Sequence, residues 1–333
     1  MAVIIAVKTT EKLPEQAAKA TEKLPEESAV NLQYVEEHYL EDPDPAMFKV
    51  LKATLQYPGL TKVKAAKLAN DINFICEAED RSDGFKGPTI YLWTLVIGIA
   101  SCIPPDHSWQ DCLVQAVGIL RQREDIVPGT KFSRWKELPD LSMAMRELWL
   151  DPASGSNEPD AELLEELVKN HFFRWKNQNS FAARLTGSSF AFFLFLPTCQ
   201  LRVALEEPPM KGPIQECRLW VACEWIIHCT EYIYKEFSKN LEPKHDTAFR
   251  AAFRTGSICG DDVPILGVKR WEFWKKRLDE VAANAVDLKL DNAVAERVSD
   301  TIRLMETVQK KAQEKTQEKS QENAQEKAQE KSA

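Results

Sequence analysis

The sequence predicts an all-α protein: a single large multi-helix domain with low-complexity tails that are disordered or frayed-helical. Three observations predict it. Only 12 of the 333 residues are glycine, and the helix formers Ala, Leu, Glu and Lys are frequent. Apolar residues recur at helical spacing through the middle of the chain. No stretch alternates apolar and polar residues between hairpin turns. The 44% hydrophobic share is ample for a core in a chain of this length.

The elements follow in chain order. Residues 1–29 form a low-complexity segment in which TEKLPE occurs at Thr10–Glu15 and again at Thr21–Glu26; a proline inside each copy interrupts helix growth. The helical domain is expected over residues 30–308. Its helices are predicted near 46–56, 61–78, 88–103, 108–123, 140–149, 160–172, 179–195, 198–206, 214–239, 268–285 and 290–311. The larger loops fall at Asp42–Pro45, Pro152–Pro159 and Glu242–Pro264.

Several helices carry further information. Thr94, Gly98 and Ser101 form a stripe of small residues that admits a close neighbour. After Pro104 and Pro105, Ser108-Trp-Gln-Asp111 reads as a capping box with Ser108 as N-cap. Asn179 reads as the N-cap of the helix that follows it. Trp271, Trp274, Leu278 and Val281 share one face of helix 268–285, opposite Glu272, Lys276 and Glu280. In the tail, residues 309–333, Glu314, Glu318, Glu322, Glu326 and Glu330 recur every four residues. Like charges at that spacing repel, and no apolar stripe exists to pack.

Charge and cysteine usage narrow the function classes. The net charge is −8, and the densest basic stretches, Arg121–Arg123 and Lys269–Arg277, are mixed with or flanked by acids. Such a chain repels a phosphate backbone, so nucleic acid is not an expected partner. The start, MAVIIAVK, places its basic residue after the apolar run and lacks the order of a secretion signal. The 8 cysteines include no C-x-x-C pair and lie mostly in apolar segments. They read as buried, reduced thiols of an intracellular protein, cytoplasmic or nuclear. The apolar runs Thr89–Ile103 and Phe190–Leu196 stop at prolines, short of the roughly 20 residues that membrane insertion needs.

Searches for catalytic motifs yield little. There is no phosphate loop, dinucleotide fingerprint, nucleophile elbow or H-E-x-x-H zinc helix. On helix 214–239, Glu224, His228, Glu231 and Lys235 fall on one polar stripe. Glu224 and His228 have the i,i+4 spacing of two metal ligands, but no second pair accompanies them. His107-x-x-x-Asp111 matches an acyltransferase pattern only superficially, since Cys112 stands where glycine is needed. Asp261-Asp262 lacks a third carboxylate at useful spacing. Arg184, Arg202, Glu206 and Glu224 sit among apolar residues, where charges need partners, and read as an internal network.

A set of motifs follows in order along the chain: His107-x-Trp109-Gln110-Asp111-x-Leu113, Trp135-x-x-Leu138-Pro139, and Met145-Arg146-Glu147-x-Trp149. Trp175 and Asn179–Thr186 follow, then Leu201-Arg202-x-Ala204-Leu205-Glu206 and Ala222-x-Glu224-Trp225-Ile226. Arg270-Trp271-x-Phe273-Trp274-Lys275-x-Arg277 completes the set. Over most of residues 45–308 this pattern resembles a family of uncharacterised fungal proteins, domain of unknown function 3632. The resemblance implies a helical fold and a fungal source, and it carries over no catalytic residues.

The expected function is that of a non-catalytic intracellular binding or scaffold protein with a protein partner. No cofactor, catalytic residue or metal ligand is assigned. The alternative is an enzyme or small-molecule binder whose polar pocket is lined by the Glu224/His228/Glu231 edge, with Arg184 and Arg270.

Overall fold

Apolar residues at helical spacing build helices along the whole described chain. The computed structural model describes residues 30–40, 46–80, 88–127, 134–154, 159–241, 246–260 and 262–330. Among them run α1 (Gln33–His38), α2 (Ala46–Gln56), α3 (Thr61–Asp80), α4 (Pro88–Cys102) and α5 (Ser108–Arg121). Next come α6 (Leu141–Glu147), α7 (Ala161–Glu166), α8 (Phe172–Gly187) and α9 (Phe195–Leu205). The last four are α10 (Pro213–Phe237), α11 (Thr247–Ala252), α12 (Val268–Ala283) and α13 (Asn292–Glu330). No strand forms among the described residues; Ile126 and Arg134 make one isolated antiparallel bridge. The fold is all-α, as the sequence predicts.

The core is continuous. α4 is buried almost all round, with Leu92, Trp93, Leu95, Val96, Ile97, Ile99 and Ala100 sealed from solvent. α10 lies centrally and packs on α8, α9, α12 and α13, while α3 packs on α5. α8 comes close against α10 at Gly187, where a Cβ would stand 2.0 Å from the His228 carbonyl oxygen. Only glycine fits there. The small stripe on α4 receives a ring as well as a helix. Tyr39 lies 3.0 Å from the position of a Gly98 Cβ, and Asn177 of α8 donates to the Ser101 carbonyl at 2.9 Å.

Three local expectations need correction. Helices 160–172 and 179–195 are replaced by one helical run from α7 through a π-helical turn, Leu167–His171, into α8. Asn179 is therefore not an N-cap. It is buried in mid-helix, where its Nδ2 donates to the Trp175 carbonyl and its Oδ1 accepts from Trp225 Nε1 at 2.8 Å. A tertiary partner has taken the side chain that local logic assigned to the backbone. The run ends at Gly187, and the apolar segment beyond it crosses a loop before Pro197 enters the first turn of α9, where its missing N–H costs nothing.

The N-cap of α5 is His107, whose Nδ1 accepts from the Trp109 backbone N–H at 3.2 Å. Asp111 instead sends its carboxylate to Arg184. At the C-terminus, α13 buries Val294, Val298, Thr301, Met305 and Val308. It then continues as a helix through the polar repeat to Glu330, the helical of the two states expected there. Residues 1–29 and Asp261 lie outside the described residues.

Candidate functional site

α8, α10 and α13 converge on Glu224, which is 2% exposed. Its Oε1 accepts from Ser180 Oγ at 2.5 Å and lies 3.0 Å from His228 Nε2. Its Oε2 pairs with the Arg297 guanidinium. An ionised carboxylate only accepts, so the Nε2–H tautomer of His228 is the one that fits. Ser180 in turn accepts from Arg184 Nε at 3.2 Å. Arg184 completes its fork on Asp111 Oδ1 at 2.8 Å and the Pro105 carbonyl at 2.6 Å. Arg297 also stacks over Trp220, its guanidinium carbon 4.5 Å from the ring centre.

The electrostatics follow from burial and from Arg184. Burial, then the Arg184 charge, pushes His228 down to about 4, against an opposing pull from Asp111. Arg297 already neutralises the Glu224 carboxylate, so a neutral imidazole suffices as its donor. Arg297 itself is lowered, first by burial, yet it stays a cation at neutral pH.

This arrangement does not have the order that acyl transfer needs. A nucleophilic serine gives its proton to a histidine, which a carboxylate orients from behind. Here the carboxylate stands in the middle: Ser180 and His228 both face Glu224 Oε1. The Ser180 hydroxyl donates to Glu224, accepts from Arg184 and is fully buried. Nor do these groups amount to a metal cluster: among the described residues, no three His, Cys, Asp or Glu side chains are grouped to hold an ion.

Arg270 belongs to a second centre. It is fully buried beside Glu206. Arg270 Nε donates to Glu206 Oε1 at 2.6 Å, and Nη2 to Oε2 at 3.0 Å. Its remaining donors reach the carbonyls of Phe253, Arg254 and Ile265. Trp274 Nε1 and the Gly256 backbone N–H supply the other two bonds to the carboxylate. Glu231 is elsewhere again, about two turns beyond Glu224 on α10. It lies exposed on a shallow groove of about 330 Å³ with Tyr234, Lys235 and Lys311.

The structure therefore unites Glu224, His228 and Arg184, and separates Glu231 and Arg270 from them. A family model described as a protein of unknown function (DUF3632) matches residues 93–278. The chain belongs to this family. No curated protein and no solved structure matches it. The DUF3632 region holds Asp111, Ser180, Arg184, Glu206, Glu224, His228 and Arg270, whereas Arg297 lies beyond it on α13.

Ser180 and Arg297 are the site residues that sequence reasoning missed. A signal for Arg297 exists: it lies between Val294 and Val298 on a stripe continued by Thr301, Met305 and Val308, so its stem borders the buried face. Ser180 carries no such signal. All eight cysteines are free thiols. Burial pushes Cys217 and Cys259 up to about 12 and Cys223 to about 11, with Cys102, Cys199 and Cys229 also raised. None of these six is a thiolate nucleophile at neutral pH.

Proposed function

We propose that the chain is a non-catalytic binding protein of the cell interior, in which the Glu224 cluster fastens three helices together. The observation that carries this reading is the position of Glu224 between Ser180 and His228. Glu224, Ser180 and Arg184 are each bonded to other parts of the same chain, and the hydroxyl is spent twice. Eight cysteines that all remain free thiols favour a reducing compartment, cytoplasmic or nuclear. Among the described residues, no helix is long and apolar enough to cross a membrane.

A fluorophosphonate probe tests the reading at its weakest point. Serine hydrolases react with it at their activated hydroxyl. The folded protein should remain unlabelled at Ser180, while capture from its own lysate should retain a stoichiometric protein or small-molecule companion. Labelling of Ser180 that disappears in His228→Ala would overturn the proposal in favour of acyl-transfer chemistry.

A further inference from the structure

Two arginines of the core region are finished very differently. Arg270 uses all five N–H donors on oxygen acceptors. Arg218 of α10 does not. Its Nη1 meets the thioether of Met210 at 3.1 Å, a weak acceptor. Its Nε is buried with no partner among the described residues. Asp151 feels the charge of Arg218, but its Oδ1 accepts from the Ala153 N–H at 2.9 Å, and no ion pair joins the two among the described residues. The Nε is sealed from solvent, so the capacity open to a ligand is that of the Nη groups, which no strong acceptor among the described residues takes up.

That side chain lines a cavity of about 770 Å³ between α9 and α10. The volume falls in the range of small-molecule sites. Leu164, Val203, Pro208, Pro209, Met210 and Ile214 supply apolar walls. The polar groups are few: Lys211, Arg218 and Glu207. Glu207 is engaged, its Oε2 accepting from the Ser257 hydroxyl at 2.6 Å. With Lys211 and Arg218 positive and Glu207 negative, the lining carries one net positive charge, which matches a single negative charge better than a dianion such as phosphate. Apolar walls around one incompletely bonded guanidinium suit a monocarboxylate on a hydrocarbon or aromatic body. Arginine binds carboxylates in the plane of its fork.

We infer that the cavity between α9 and α10 binds an organic monocarboxylate, its carboxylate on Arg218 and its apolar body along Leu164, Val203 and Ile214. This deepens the proposal of a binding protein and rests on it. The two fail separately, since Ser180 labelling reports on the Glu224 cluster and the following experiment reports only on this cavity.

Octanoate and 1-octanol serve as probes on the full-length protein carrying ¹³C-methyl methionine. Met210 sits on the cavity wall against Arg218, so its methyl resonance reports occupancy there. Octanoate should shift that resonance saturably with one site per chain. 1-Octanol, of equal chain length but uncharged, should bind about tenfold or more weakly, the loss expected of a charge-assisted pair. Arg218→Gln should weaken octanoate by a similar factor and leave 1-octanol unchanged. Should that variant not fold, the comparison of the two probes on the natural protein decides alone. An unmoved Met210 resonance, equal affinity for both probes, or undiminished octanoate binding by folded Arg218→Gln would overturn the inference.

Discussion

Glu206 and Arg270 fill one another's hydrogen-bonding capacity in the core, and what remains is taken by the chain around them. The carboxylate accepts four bonds and the guanidinium donates five. The pair ties the end of α9 to α12 and draws in the segment from Phe253 to Ile265 between them. A buried charge left without its partner costs about 3–5 kcal/mol, whereas an apolar replacement of both can be neutral. Arg270→Met should therefore lower the urea midpoint by that equivalent, and Glu206→Leu/Arg270→Met should recover much of it. A single variant within about 1 kcal/mol of the natural protein, the range of a surface change, would show that the pair is not a fastening.

Trp274 depends on the same centre. It is fully buried, its ring is 4.8 Å from that of Phe237, and its indole N–H bonds Glu206 at 2.6 Å. Truncation to alanine should cost about 3–5 kcal/mol through lost burial and a residual cavity. Trp274→Phe keeps most of the volume but leaves Glu206 one donor short, so its cost should be smaller, about 1–3 kcal/mol. Equilibrium unfolding of both variants gives the order. Equal losses would remove the indole–carboxylate bond from the explanation.

His228 makes folding sensitive to mild acid. Its pKa falls from 6.5 when unfolded to about 4 when folded, chiefly through burial. Between those values the unfolded chain binds the extra proton, so stability rises with pH. The contribution is complete above about 6.5 and is lost as pH falls toward 4. His228→Gln, which keeps an N–H donor for Glu224 but does not titrate, should flatten that part of the stability profile. Parallel profiles for the two proteins would contradict the assignment.

Gly187 sets the distance between α8 and α10. A methyl group there meets the His228 carbonyl oxygen, and neither backbone can yield without moving a packed helix. Gly187→Ala should destabilise by about 1–3 kcal/mol, as overpacking does. Ser188→Ala, one residue later and exposed, should stay within about 0.5 kcal/mol. Thermal unfolding of the pair separates a steric requirement from a general effect of altering the turn.

Much of the fold is legible in the sequence because burial leaves a periodic mark. The stripe Trp271, Trp274, Leu278 and Val281 identifies the inner face of α12, and all four are buried. Prolines at 104 and 105 separate α4 from α5. What the sequence hides is the choice between local and distant partners. Asn179 and Ser108 have the composition of caps, but Trp225 claims the first and His107 displaces the second. The candidate site is half legible for the same reason. One helix places Glu224 and His228 on a common edge, while Ser180 and Arg297 reach them from α8 and α13, at separations no local pattern encodes. Glu206 reads correctly as a charge in need of a partner, and that partner is Arg270, which sequence reasoning sets beside the Glu224 edge instead.

The most direct test of a structural rather than chemical role for the cluster is the folding stability of Glu224→Gln. The substitution keeps the shape of the side chain and removes the charge that pairs with Arg297. Residues held for catalysis or ligand binding are commonly retained at a cost to stability, so replacing them leaves stability unchanged or raises it. A fastening behaves in the opposite way, because Arg297 then keeps a half-buried charge without its counter-ion. Urea unfolding of Glu224→Gln beside the natural protein should show a loss of about 3–5 kcal/mol. Equal or greater stability of the variant would contradict the structural role and make the Glu224 edge a functional site.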